Sequence, residues 1–248
     1  MFEPDTIAIV AIAFLIAGIV KGTIGLGLPI ISIAILAATV GLKSAVALFL
    51  VPAMATNCWQ AFTGGHFTEL LRRLWPMFAT AIVGIWVGVQ ILASADARVL
   101  SIALGIVLVV YATIALLRAK MPSPGTWEPW MTPVVGVAGG VMFGVMGNFL
   151  VPGVLYIQAL GLPRDMFVQA LGMTFLIIST TLALLLSRYS LMPTETLAMS
   201  AAALVPTAVG MYIGQRLRSS LSEAQFAKAV LVAIGLAGVF MIVRAMSG

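Results

Sequence analysis

Nearly the whole chain falls into eight apolar runs, roughly 7–40, 44–63, 74–94, 98–118, 132–161, 165–187, 193–215 and 226–246, with the charged residues mostly between them. An α-helix crosses the hydrocarbon core of a bilayer in about 20 residues, and most of the runs have that length. Only 8% of residues are charged and 62% are hydrophobic, where a soluble domain carries roughly 25% charged residues. No soluble fold buries so much apolar surface, so the chain reads as an all-α polytopic membrane protein. Its net charge of +5 comes from basic residues standing singly or in pairs. That pattern fits loop charges that orient helices and argues against a nucleic-acid partner. The first residues, Met1–Asp5, are acidic and lack the basic segment of a signal peptide, so the first run reads as part of the mature chain.

The first and fifth runs, 34 and 30 residues long, are too long for one crossing and short for two. They also carry the residues least suited to a plain membrane helix. The stretch Gly18–Pro29 holds Lys21, Gly22, Thr23, Gly25 and Gly27. Glycine and proline interrupt helices, and the freed backbone must find partners away from lipid. The stretch recurs: Gly18, Gly22 and Gly25 match Gly140, Gly144 and Gly147 at a shift of 122, and Pro29 matches Pro152 at 123. Gly84 and Gly88 match Gly210 and Gly214 at 126, and Gly41-Leu42 matches Gly161-Leu162 at 120. These matches predict two repeats, 1–118 and 131–248, joined by the Pro- and Trp-containing linker 119–130.

The charges bear on how the repeats are oriented. If every run crosses once, the basic residues divide evenly between the two sides. If the first and fifth runs each enter and return, one side holds Arg72, Arg73, Arg118, Lys120, Arg164, Arg216, Arg218 and Lys228. The other side then holds Lys43, Arg98, Arg188 and Arg244. The second path fits the positive-inside rule and gives each half an odd number of crossings. The expected fold is therefore two inverted four-segment repeats. Each starts with a Gly/Pro-broken segment, either re-entrant or a pair of short helices.

An ionisable residue inside a membrane run marks a functional site by default, and no Asp or Glu lies in the interior of the runs to pair with Lys21. Lys21, the backbone around Gly22, Gly25 and Gly27, and the Thr23 hydroxyl together describe an anion site, since a broken helix adds a positive dipole end. The opposing reading is that Lys21 snorkels and the glycines pack helices. The second copy offers Gly147 and Asn148. Asn57, Gln169 and Ser179 supply neutral hydrogen-bonding groups from neighbouring runs, and interhelical bonding is the alternative for each. Gln60, Tyr156 and Gln158 are open between that shell and the membrane interface. Cys58 reads as a small buried apolar residue. One His and one Cys build no metal site. No catalytic constellation stands out, so neither an enzyme nor a cofactor is expected.

These residues resemble the TauE/SafE (sulfite exporter, sulfonate permease) family of bacterial membrane transporters. The resemblance rests on Ala17–Pro29, on Gly139–Gly147, on Pro152–Tyr156 and on Ala159–Arg164, and it extends over nearly the whole chain. It implies an ATP-independent carrier in the bacterial inner membrane, moving sulfite, sulfoacetate or related sulfur anions by alternating access. An anion channel and a non-transporting subunit or sensor are the alternatives, and a homodimer stays open. The chain departs from the family's pattern at Asn148-Phe149-Leu150-Val151-Pro152, where further small residues and prolines are usual.

Overall fold

The computed structural model of the chain describes residues 3–25, 27–117, 122–217 and 223–247. Arg118, Lys120 and Arg218 of the charge pattern, and residues 119–121 of the expected linker, lie outside them. Among the described residues the secondary structure is helical throughout. Eight segments are long and apolar enough to cross a membrane. Two shorter apolar helices accompany them, at Leu28–Thr39 and Leu150–Ala159. They fall in the two overlong runs. At 1.5 Å per residue, 12 residues reach about 18 Å, well short of the roughly 30 Å core.

The chain divides into two compact units. The first comprises Met1–Pro52, Ala95–Ala119 and Met192–Gly248, and the second comprises Ala53–Ser94 and Lys120–Leu191. Each therefore draws on both halves of the sequence.

In the first unit, α1 (Pro4–Ile24) ends at Gly25 and α2 (Leu28–Thr39) starts from Gly27. Both glycines are left-handed, with φ of 89° and 111°, which glycine adopts at least cost. Pro29 then sits in the first turn of α2, where its missing N–H costs nothing. Gly27 lies against the Val20 side chain, and α2 packs on α1. Next come α3 (Leu42–Leu48) and the start of α4 (Leu50–Phe62), which from Ala53 on belongs to the second unit. Ser200 of α10 (Thr194–Ala202) bridges the break between them: its hydroxyl donates to Leu48 O at 2.6 Å and accepts from Val51 N at 3.2 Å. Backbone groups released by the break are thus satisfied inside the protein, as lipid requires.

The long helix contacts are made through glycine. Gly210 and Gly214 of α11 (Leu204–Leu217) face Leu15, Ile19 and Thr23, while Gly18 and Gly22 face Thr207 and Met211. The helices α1 and α11 therefore run parallel with their backbones in contact. Two further helices, α6 (Ala97–Leu116) and α12 (Glu223–Ser247), pack antiparallel, with Gly105 against Gly238 and Ile242 and Gly235 near Ala112.

The second unit uses the same device. Gly136, Gly140 and Gly144 of α7 (Glu128–Met146) meet Met77, Ala81 and Ile85 of α5 (Phe67–Ser94), whose Gly84 and Gly88 meet Val137 and Val141. These helices too are parallel. At the N-terminal end of α7 an Arg73–Glu128 pair closes the contact in two bonds, 2.6 and 2.8 Å. After Gly147 the segment Leu150–Val154, extended at Val151 (φ −114°, ψ 122°), leads into α8 (Leu155–Ala159). Tyr156 OH of α8 lies 2.5 Å from Thr132 Oγ1, near the start of α7. Both hydroxyls also reach Glu128 O, Thr132 at 2.6 Å and Tyr156 at 3.4 Å. Tyr156 is buried and does not face the membrane interface. α9 (Arg164–Arg188) packs on α5.

One reading of the sequence is corrected. Cys58 is exposed. The buried stripe of α4 is Ala53, Asn57 and Ala61, and a residue one place beyond Asn57 is turned about 100° off it. An apolar exposed side chain is at home in lipid, so composition alone carries no sign of which way it points.

Candidate functional site

The site residues expected in the first unit surround the turn between α1 and α2. Lys21 lies in the last turn of α1 and is 5% exposed. The end of a helix presents carbonyls and carries a partial negative charge, which a cation there offsets. The positive dipole end at this turn belongs to α2, whose first intrahelical bond runs from Ile31 N to Gly27 O at 3.0 Å. N–H groups for an anion therefore come from the start of α2, on the far side of the turn from Gly22. Gly25 donates its N–H to Lys21 O at 2.7 Å, and nothing lies within 4 Å of where its side chain would be.

Two of the expected residues are engaged in packing. The missing side chain of Gly22 is accounted for by the Met211 backbone, on which a Cβ would fall. The Thr23 hydroxyl donates to Ile19 O at 2.8 Å and to Gly214 O at 3.2 Å, so it ties α1 to α11. Its lone pairs are all it can offer an anion, which wants donors.

In the second unit Gly147 ends α7 in the left-handed conformation, at φ 66°. Asn148 follows, 4% exposed. Its Oδ1 accepts from Leu150 N at 2.9 Å, while its Nδ2 has no protein partner. Ser179 in α9 is fully buried, and its hydroxyl has no protein partner either. A buried polar group left unpaired costs about 1–3 kcal/mol, so each of these orphans calls for an explanation. Asn57 is buried in α4. Gln169 differs from them. Its Nε2 donates to Ala61 O at 3.0 Å and its Oε1 accepts from His66 N at 2.8 Å. Both ends of that amide are taken by the backbone at the end of α4 and the loop after it.

Aromatic packing beside Asn148 is a further feature of this turn. Phe149 is buried between Gly139 and Gly153. Its ring meets Phe143 and Phe175 edge-on, at centroid distances of 6.5 and 6.2 Å. The departure at Asn148-Phe149 thus places a large apolar side chain into room left by two glycines. That pair of glycines was the available signal.

A family model described as "Sulfite exporter TauE/SafE" matches residues 10–241. No curated protein and no solved structure gives a match.

Proposed function

The chain belongs to the sulfite exporter TauE/SafE family, and we propose that it is a secondary carrier of small sulfur oxyanions or organosulfonates working by alternating access. What carries this reading is a pair of interrupted segments, each with a buried polar side chain at its turn: Lys21 in one and Asn148 in the other. Lys21 supplies the charge that an anion needs, helped by the N–H groups that open α2. Within the second unit, Asn148 Nδ2 and the Ser179 hydroxyl are donors for an anion at that turn, and Asn57 is a further neutral amide of the same unit. Neutral donors grip an oxyanion without the desolvation cost of a second buried charge.

The inverted-repeat architecture belongs to the same proposal, with repeats at 1–118 and 131–248, and two observations support it. Shifts of 122 and 126 carry α1 onto α7 and α5 onto α11, and the parallel pairs are α1 with α11 and α5 with α7. Moreover, Arg98 and Arg244 line one pocket of the first unit. A path in which the first and fifth runs return puts these arginines on one side of the membrane; eight single crossings put them on opposite sides. In a Cys58→Ser background, Arg98→Cys and Arg244→Cys should therefore be labelled by a membrane-impermeant maleimide from the same face of sealed vesicles. Labelling from opposite faces rejects the inverted arrangement. The bacterial inner membrane is the location this function implies.

Ligand-dependent stabilisation tests the substrate class. The purified chain should melt higher with sulfite or sulfoacetate than with sulfate or simple carboxylates. Ser179→Ala should leave the unliganded melting temperature unchanged or raise it, because it removes an unpaired buried hydroxyl, worth up to about 1 kcal/mol. The same variant should lose much of the ligand-dependent rise. A large drop in unliganded stability would assign Ser179 to the structure instead.

A further inference from the structure

We propose that a pocket of about 380 Å³ in the first unit is a headgroup site for an anionic phospholipid. This does not rest on which anion is carried, though the side of the membrane assigned to Arg98 and Arg244 rests on the inverted path proposed above. The pocket forms where α2 ends, α6 begins and α12 ends, and its walls include Thr39, Arg98, Ser101, Met241 and Arg244. The Arg98 guanidinium donates to Met246 O at 3.1 Å, and that of Arg244 donates to Ala38 O. These carbonyl contacts hold both planar groups at the pocket wall. An arginine carries five N–H donors in a fork that matches phosphate, so a carbonyl and a phosphate can share one guanidinium. Among the described residues no carboxylate lines the pocket. The nearest in sequence, Asp96, is turned to the backbone, where it accepts from Arg98 N at 2.7 Å.

Place and surroundings select a lipid over a soluble anion. Arg98 and Arg244 stand near the ends of the spans Ala97–Leu116 and Lys228–Met246, at the depth of phospholipid headgroups. Deeper in the same two spans, Ile106, Val239 and Phe240 are 50%, 48% and 55% exposed. An acyl chain descending from a phosphate in the pocket would lie along these side chains. The arginines also fall on the side that carries fewer basic residues when the two overlong runs return, so the positive-inside rule does not account for them. A basic pocket between membrane helices is the chemistry that retains anionic headgroups.

The test is native mass spectrometry of the full chain, released from detergent with phosphatidylglycerol, phosphatidylcholine or glycerol 3-phosphate. The expected result is a retained phosphatidylglycerol adduct, with phosphatidylcholine and glycerol 3-phosphate each held at least roughly tenfold more weakly. The Arg98→Gln/Arg244→Gln double variant should weaken the adduct by a similar factor. Ser101→Glu should do the same by placing a carboxylate in the pocket while leaving both arginines in place, so the result does not depend on the double variant folding. Arg188→Gln, which is outside the pocket, should change nothing. Wild-type lipid affinity in both pocket variants overturns the proposal. So does glycerol 3-phosphate binding as tightly as the lipid, which would give the pocket to soluble anions.

Discussion

Lys21→Met should leave a folded chain whose anion flux in proteoliposomes falls about a hundredfold, the effect of losing roughly 2.7 kcal/mol of charge-assisted contact in the rate-limiting complex. Methionine keeps most of the length and apolar bulk of lysine and removes only the ammonium group. The side chain is 5% exposed in the last turn of α1, so two roles compete. As a partner of the α1 carbonyl end, its charge is worth about 0.3–1 kcal/mol, and up to about 2 when partly buried. That role predicts a lower melting temperature with flux retained. As the charge that receives an anion, it predicts the reverse. Stability would hold or rise, because replacing a buried charge with an apolar group is often neutral or favourable, while flux would collapse. Lys21→Arg keeps the charge and should keep part of the flux. Wild-type flux in Lys21→Met would remove Lys21 from the transport cycle.

The spans were legible because lipid imposes one length on every crossing helix and excludes charge from its middle. The two overlong runs stand out for the same reason: 34 residues fit no whole number of crossings, and Gly25, Gly27 and Pro29 are residues that interrupt a helix. The pairing of helices was not legible. Gly18/Gly22, Gly84/Gly88, Gly140/Gly144 and Gly210/Gly214 are the same motif four times, and a small residue carries no address for its partner. Only coordinates match 18/22 to 210/214 and 84/88 to 140/144. They also move Gly22 and Thr23 toward helix packing, since the backbone of α11 occupies the side from which a ligand would have come.

Within the candidate site, Lys21 stood out because a charge in an apolar run is rare. Asn148, Gln169 and Ser179 looked alike, three neutral polar residues among apolar ones. The structure separates them by their partners. Gln169 satisfies its amide at both ends on the backbone, while Asn148 Nδ2 and Ser179 Oγ lack a protein partner. Hydrogen-bond satisfaction depends on what lies across from a residue, which no spacing along the chain records. Cys58 was misread for a related reason. In a membrane protein both faces of a helix are apolar, so polarity does not tell core from lipid, and only the buried stripe Ala53, Asn57 and Ala61 shows the inner face.

Gly140→Leu should abolish the folded state, with a cost of about 3 kcal/mol or more. A Cβ added at Gly140 falls on the Ala81 carbonyl oxygen and lies 2.9 Å from Ala81 Cα and 3.0 Å from its carbonyl carbon. Overpacking of a core costs about 1–3 kcal/mol when side chains can shift, but these neighbours are backbone and cannot rotate away. The only relief is for α5 and α7 to separate, which gives up the close approach at Gly84, Gly88, Gly136 and Gly144 as well. In lipid that loss has no hydrophobic compensation, because dispersion contacts between backbones are themselves the driving force. Gly25→Ala is the control. Nothing lies within 4 Å of its Cβ, and φ is 89°, so only the left-handed backbone is strained, at roughly 1–2 kcal/mol. Gly25→Ala should therefore elute as a monodisperse peak in detergent with a lowered melting temperature, and Gly140→Leu should aggregate. If Gly140→Leu instead melts with Gly25→Ala, the two helices are not in backbone contact. The parallel pairing of α5 with α7, on which the repeat argument depends, would then fail with it.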